Sequence, residues 1–332
     1  MNRITKTLSV ALLAFAVGVG LAAPGTAWAK HKHTGAIAGA AGPDPTAVNG
    51  PNCPTSNLGG TNTIYYLTGN LSTTSTTANC INLTGDRDAL LLNGYTISGP
   101  GSTVTSGAGI RITGDNNVVE GFNAFVTGFR TGISDSGGNT VGDDVNIGAF
   151  PPSTTLANGT GLLMMGGTDR WGNFSVSGNT GTGIFLNGCS DECTIFDFST
   201  TDNGGDGLLI QNGDQPSATV FIAADNAGNA VHLGGTSFGK ANTSASVLDA
   251  FIASPNGVSD NTGNGVLLDT SESTSQDQVS TVNATGNGDG TTTFDLRDAT
   301  ASCGNNLWYN NSFGTSSAGA ASSPACIGGL GS

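Results

Sequence analysis

Basic residues are scarce in this chain. Ten Lys and Arg stand against 24 Asp and Glu in 332 residues, a formal net charge of −14. A surface of that sign repels nucleic acid and anionic lipid, and would repel an acidic polysaccharide unless a cation intervened. Histidine is rarer still. His31, His33 and His232 are too scattered for a zinc site, and only His232 falls in the body of the chain. No Ser-His-Asp arrangement is therefore readable, and His232, alternating outward beside Leu233, reads as a surface side chain. Beyond the N-terminal region no apolar run is long enough to cross a bilayer. The apolar runs that exist are short, β-branched and broken by Gly and Asn, which excludes helices. The 53 glycines lack a three-residue period, which excludes collagen.

What is present begins with an export pattern. Arg3 and Lys6 precede an almost wholly apolar stretch from Leu8 to Ala23, and Ala27-Trp28-Ala29 offers a cleavage site. Residues 1–29 are thus expected to be a signal peptide, placing the protein outside the cytoplasm as a secreted, periplasmic or cell-surface chain with no membrane insertion after cleavage. Its removal leaves eight Lys and Arg and a net charge of −16. Residues 30–62 are low-complexity Ala, Gly and Pro, expected as a flexible segment in which Lys30-His31-Lys32-His33 is solvated. Residues 63–332 are expected to be one domain with a C-terminal cap. Six cysteines in an exported chain read as disulfides. Of 15 pairings, position along the chain favours Cys53–Cys80, Cys189–Cys193 and Cys303–Cys326.

The domain repeats itself. Asn179-Thr180-Gly181-Thr182-Gly183-Ile184 returns as Asn203-Gly204-Gly205-Asp206-Gly207-Leu208, as Asn226-Ala227-Gly228-Asn229-Ala230-Val231 and as Asn261-Thr262-Gly263-Asn264-Gly265-Val266. The first apolar residue after each glycine-rich turn is Ile110, Ile133, Leu162, Ile184, Leu208, Val231, Val266 and Phe294, at intervals of 23, 29, 22, 24, 23, 35 and 28. The minimum near 22 is one rung of a coiled β-strand solenoid, and the excess must leave as loops such as 151–158 and 234–246. Parallel strands of successive rungs would stack about 4.8 Å apart, one set of alternating residues forming apolar columns inside. Each phrase opens on an Asn at a bend that leaves backbone groups unpaired. An amide carries donor and acceptor both, so Asn179, Asn203, Asn226, Asn261 and Asn287 are expected to form a structural ladder. The expected fold is all-β, a single-stranded parallel solenoid of roughly 8–10 rungs.

Residues 64–99, with Tyr65-Tyr66-Leu67, Cys80-Ile81 and Leu90-Leu91-Leu92-Asn93-Gly94-Tyr95-Thr96-Ile97-Ser98-Gly99, and the repeats of residues 107–313 resemble the pectin-lyase-like, right-handed parallel β-helix proteins. The likeness extends to the secreted parallel β-helix repeat group. It implies a right-handed solenoid and leaves the reaction open, because this architecture hosts lyases, hydrolases, esterases, epimerases, adhesins and passive surface proteins. Polygalacturonases of the fold carry Asn-Thr-Asp, Asp-Asp, Gly-His-Gly and Arg-Ile-Lys. Here Asn179-Thr180-Gly181 and Gly205-Asp206-Gly207 stand in place of the first and third, and no Arg-Ile-Lys occurs. Glycoside hydrolysis needs two carboxyl groups flanking the bond, and one carboxylate in this column does not make the pair.

Three functional classes follow. The preferred one is a non-catalytic exported protein binding polysaccharide or a cell-surface glycan, with Thr182, Asp206, Asn229 and Asn264 presented outward and Trp171 stacking on a sugar. The second is a calcium-dependent polysaccharide lyase or related carbohydrate-active enzyme. Asp202, Asp225 and Asp260 would line up to hold calcium, and Asp206, Asp169 and Arg170 are the candidate catalytic groups. The third resembles periplasmic β-helix proteins that help mature the copper site of nitrous oxide reductase, against which the lack of Met, His and Cys ligands weighs. Trp308-Tyr309 is expected to cap the last rung.

Overall fold

The computed structural model describes residues 44–101, 104–149, 156–189, 192–234, 251–254, 257–269, 276–289, 291–300, 303, 305–318 and 327–331. The expected signal peptide, Cys326 and most of the two expected surface loops lie outside them. The chain is an all-β solenoid of parallel strands with about eight turns. Among the described residues the strands form one 16-stranded and one 10-stranded sheet, and every neighbouring pair of strands named below is parallel. No helix among the described residues is long and apolar enough to cross a membrane.

One rung explains the rest. Arg170–Ser177 runs along the larger sheet, a turn through Gly178 and Asn179 follows, and Ile184–Asn187 runs along the smaller sheet. The chain then closes through Cys189–Cys193 and begins the next rung at Thr194–Thr201. In the smaller sheet Ile133, Leu162, Ile184, Leu208, Val231 and Val266 stack in register, as the repeat requires. The last step differs: Val266 pairs with Leu296 and not with Phe294. Phe294 sits two residues early in the turn, where its N–H donates to Asn264 Oδ1.

The strand Val118–Thr127 bends at two left-handed residues, Phe122 and Asn123, and six later rungs of the larger sheet bend at one. Asp144, Asn173, Asp197, Val220, Thr281 and Asn310 occupy this bend with φ from 48° to 54°. Asn and Asp tolerate that conformation because their short polar side chains bond locally, whereas Val220, β-branched and exposed, is strained there. The bend shifts the inward-facing phase by one residue, so Trp171 and Phe174 both point inside. Phe174, Phe198 and Phe221 then stack on one another with ring centroids 5.4 and 4.9 Å apart. This aromatic column and the aliphatic columns around it form one continuous core.

Two expectations about the ends are corrected. The segment read as flexible up to residue 62 carries the strand Thr46–Val48, which pairs with Ile64–Leu67, and Cys53 is bonded to Cys80. Three residues are too short a strand to stand out from low-complexity sequence. Trp308 is not an outer cap. It is buried within its rung, Ile327–Gly331 pairs beyond it, and Tyr309 is exposed. Cys303 is disulfide-bonded.

Candidate functional site

The asparagine ladder is continuous and longer than the repeat phrase suggested. Asn158 Nδ2 donates to Asn179 Oδ1, Asn179 to Asn203, Asn203 to Asn226, Asn226 to Asn261 and Asn261 to Asn287, at 2.8 to 3.1 Å. From Asn179 onward each Oδ1 also takes the backbone N–H of the Asn before it, apart from the first step. Donation runs one way, so the last member needs only to accept. That member is Asp295: its Oδ1 receives the N–H and Nδ2 of Asn287, and its Oδ2 receives Gly314 N, Thr315 N and Thr315 Oγ1. A carboxylate, acceptor at every lone pair, is the group that fits five donors.

A second ladder lies beside the first and runs the opposite way. Asn264 N and Nδ2 donate to Asn229 Oδ1, and Asn229 N and Nδ2 donate to Asp206 Oδ1. Asp206, Asn229 and Asn264 were expected to be presented to solvent for a ligand. They bond to one another; Asn264 is buried, Asp206 and Asn229 are half-buried, and Asp206 Oδ2 takes no part in the ladder. Thr182, in the same file one rung earlier, is half-buried and takes no part in this chain of amides.

That remaining oxygen meets His232. The imidazole Nδ1 lies 3.0 Å from Asp206 Oδ2, and Nε2 lies 3.4 Å from Asp269 Oδ2. The three groups form a diagonal across three rungs. Asp206 precedes the strand Leu208–Gln211, His232 lies in Val231–Leu233, and Asp269 follows Val266–Leu268. Leu209 and Leu267 flank His232 in register. Burial alone would lower the imidazole pKa, but the hydrogen bonds to Asp206 and Asp269 and the charge of both carboxylates raise it to about 9. At neutral pH the ring is therefore an imidazolium with both N–H groups donating. A general base needs a free lone pair, and this ring has none.

The residues of the carboxylate file expected for calcium also shape the backbone. Asp202, Asp225 and Asp260 have φ of 56°, 57° and 58°, and Gly178 and Gly286 stand at the same point of other rungs with φ of 63° and 71°. These aspartates are the left-handed turn residues before each ladder Asn, with exposed side chains. Among the described residues no three His, Cys, Asp or Glu side chains converge to hold a metal ion. Turn chemistry and carboxylate spacing give the same sequence pattern, which is why the three aspartates suggest calcium ligands.

Trp171 cannot stack on a sugar: it is wholly inside the core, and Nε1 donates to Asp135 Oδ2 at 3.3 Å. Trp308 repeats the arrangement with Asp298 at 3.0 Å. Asp169 is also buried. Its Oδ1 accepts from Thr140 N, while its Oδ2 has no hydrogen-bond partner among the described residues. Desolvation, reinforced by the nearby charge of Asp135, lifts Asp169 to about 7, and desolvation lifts Asp135 to about 6. Arg170 does not pair with Asp169. It faces solvent on the larger sheet, its guanidinium carbon 4.7 Å from the centre of the Phe196 ring. His232 with Asp269, and Phe196 under Arg170, are the groupings that reading along the chain missed. Writing the chain rung under rung would have placed each pair in adjacent rows.

No family model matches the sequence, and no curated protein matches it. Solved structures do. The Dettilon tailspike protein aligns with a TM-score of 0.59 at 12% identity, over 82% of this chain and 54% of its own. This chain thus spans about half the length of that tailspike. The A-module of the Azotobacter vinelandii mannuronan C-5 epimerase AlgE6 aligns with a TM-score of 0.48 at 14% identity, over 83% of this chain and 87% of the module. The AlgE4 A-module aligns with a TM-score of 0.45 at 13% identity, over 78% and 67%. At such identities a likeness speaks to fold, and the tailspike alignment places this chain among the right-handed parallel β-helix proteins.

Proposed function

We propose that this protein is an exported, glycan-binding β-helix protein that holds polysaccharide on its sheet faces without converting it. The observation that carries the reading is the engagement of His232 on both ring nitrogens by Asp206 and Asp269, while Asp206 is also committed to Asn229. The imidazole and the carboxylate best placed for acid–base chemistry are thereby spent on each other. Rows of half-buried hydroxyl side chains, such as Ser175 and Ser199 with their 2.9 Å contact, supply the neutral polar surface that sugar hydroxyls bind. The disulfides Cys53–Cys80 and Cys189–Cys193 fit an oxidising, extracytoplasmic location.

Purified protein incubated with pectate, alginate and hyaluronan, with and without calcium, tests the reading. Retention of polymer with no unsaturated or shortened product is the expected result. Calcium-dependent product that disappears in Asp225→Ala would overturn it in favour of a lyase.

A further inference from the structure

We infer that Arg170, held on Phe196, is the centre of a subsite for a carboxylate-bearing sugar, a uronate unit of an acidic polysaccharide. The inference rests on the glycan-binding reading and names the chemistry of its ligand. Three observations carry it.

The first is the seat. The outward position facing Phe196 in the preceding rung is Gly172, and the ring tip fills the space a side chain there would need. A Cβ at Gly172 would lie 2.2 Å from Phe196 Cζ, and 2.6 Å from each Cε. Neighbouring rungs place Asp143 and Thr219 at this position, so the gap is local to the Phe196 ring. The second is the stacking. The guanidinium lies over that ring, a contact that holds an otherwise flexible side chain. The third is the lack of any partner. In a chain with 24 acidic residues, the Arg170 guanidinium makes no hydrogen bond or ion pair among the described residues, and the residue is exposed. The carboxylate opposite Gly172, Asp143, accepts from Asn173 Nδ2 instead. By contrast, Arg297 spends its fork on the carbonyl of Thr292.

A planar fork fixed in place and already desolvated on one face matches a coplanar carboxylate bidentately. Thr194 beside Arg170 and Thr219 beside Phe196 offer hydroxyls on either side for the ring hydroxyls of the same sugar. Arg170 supplies the cation that the acidic surface otherwise lacks, one fork for one uronate unit. The net charge of −14 opposes a densely sulfated polymer more strongly than a polyuronate.

The test is equilibrium binding of the full chain to oligomannuronate, oligogalacturonate, heparin and neutral dextran. The wild-type protein should bind the uronates in preference to heparin and dextran. Arg170→Ala should weaken uronate binding roughly ten- to a hundredfold, the range for a hydrogen-bonded charged pair. Arg170→Lys, which keeps the charge and loses the fork, should recover little of it. Gly172→Ala, which displaces the Phe196 ring, should weaken binding severalfold. Arg170 contributes nothing to the core, so Arg170→Ala stays informative if Gly172→Ala misfolds. Equal affinity for dextran and uronates, preference for heparin, or unchanged uronate binding in Arg170→Ala would overturn the inference while leaving glycan binding intact. Failure to bind any glycan would overturn both.

Discussion

Substituting Asn226 by Ala tests the ladder where it is most fully connected. Asn226 Oδ1 accepts the N–H of Asn203 at 3.2 Å and its Nδ2 at 2.9 Å, while Asn226 Nδ2 donates to Thr200 O at 3.0 Å and to Asn261 Oδ1 at 2.8 Å. Alanine strips both donors of Asn203 and leaves Thr200 O without the side-chain donor of Asn226. Asn261 Oδ1 keeps the backbone N–H of residue 226. Asn203 Nδ2 retains contacts to Val176 O and Thr200 Oγ1, so its loss is partial. One fully orphaned buried donor at about 1–3 kcal/mol, with one partly orphaned donor and two weakened acceptors at less each, amounts to about 3–5 kcal/mol. That is a large share of the roughly 5–15 kcal/mol by which domains are stable. The buried Trp171 reports unfolding, so urea denaturation followed by tryptophan fluorescence measures the change. Asn226→Asp discriminates further. It keeps an acceptor for Asn203 but sets an oxygen against Thr200 O and Asn261 Oδ1, so its defect should shrink on acidification, when the carboxyl can donate. A cost for Asn226→Ala below about 1 kcal/mol, no larger than for the exposed control Thr262→Ala, would refute the ladder as a stabilising device.

Asp295→Asn turns an amide N–H toward at least one of five donors, and should lower stability by about 2–4 kcal/mol in the same urea assay. Val220→Asn should relieve left-handed strain of about 1 kcal/mol. A rise in Tm of roughly 2–4 °C is expected for a domain of this size, and an unchanged or lower Tm would count against strain at the bend. Asp135 and Asp169 have pKa values raised to about 6 and 7, so the folded state binds protons the unfolded chain has lost. Their favourable contribution is complete below about 3.8 and disappears as pH rises through 6 to 7. The urea midpoint should therefore fall between pH 5 and pH 8, and less steeply in Asp169→Asn; parallel slopes would contradict this. His232 is also raised, so the stability it adds is complete below about 6.5 and is lost as pH rises through about 9. His232→Asn should flatten the wild-type decline between pH 6.5 and pH 9.

Much of the architecture was written in the spacing of Asn179, Asn203, Asn226 and Asn261. Residues that recur once per rung must lie above one another, and identical amides in a buried column can bond along it. The same logic placed Ile184, Leu208, Val231 and Val266 inside. It failed at Phe294, where the apolar residue nearest the turn lies two positions before the one in register. The terminal carboxylates were legible in principle: a one-way ladder must end on a pure acceptor, and Asp295 follows Asn287 by eight residues.

The sequence by itself determined the winding, because period is a one-dimensional property and stacking follows from it. Only the tertiary structure decided which way the polar side chains of a rung face. One left-handed residue in mid-strand, Asn173, reverses the alternation, so that Phe174 turns inward with Trp171. One missing side chain at Gly172 admits the ring of Phe196. The diagonal of Asp206, His232 and Asp269 joins residues 26 and 37 apart in the chain, distances set by loop lengths that no repeat encodes. Such groupings arise from contacts between rungs.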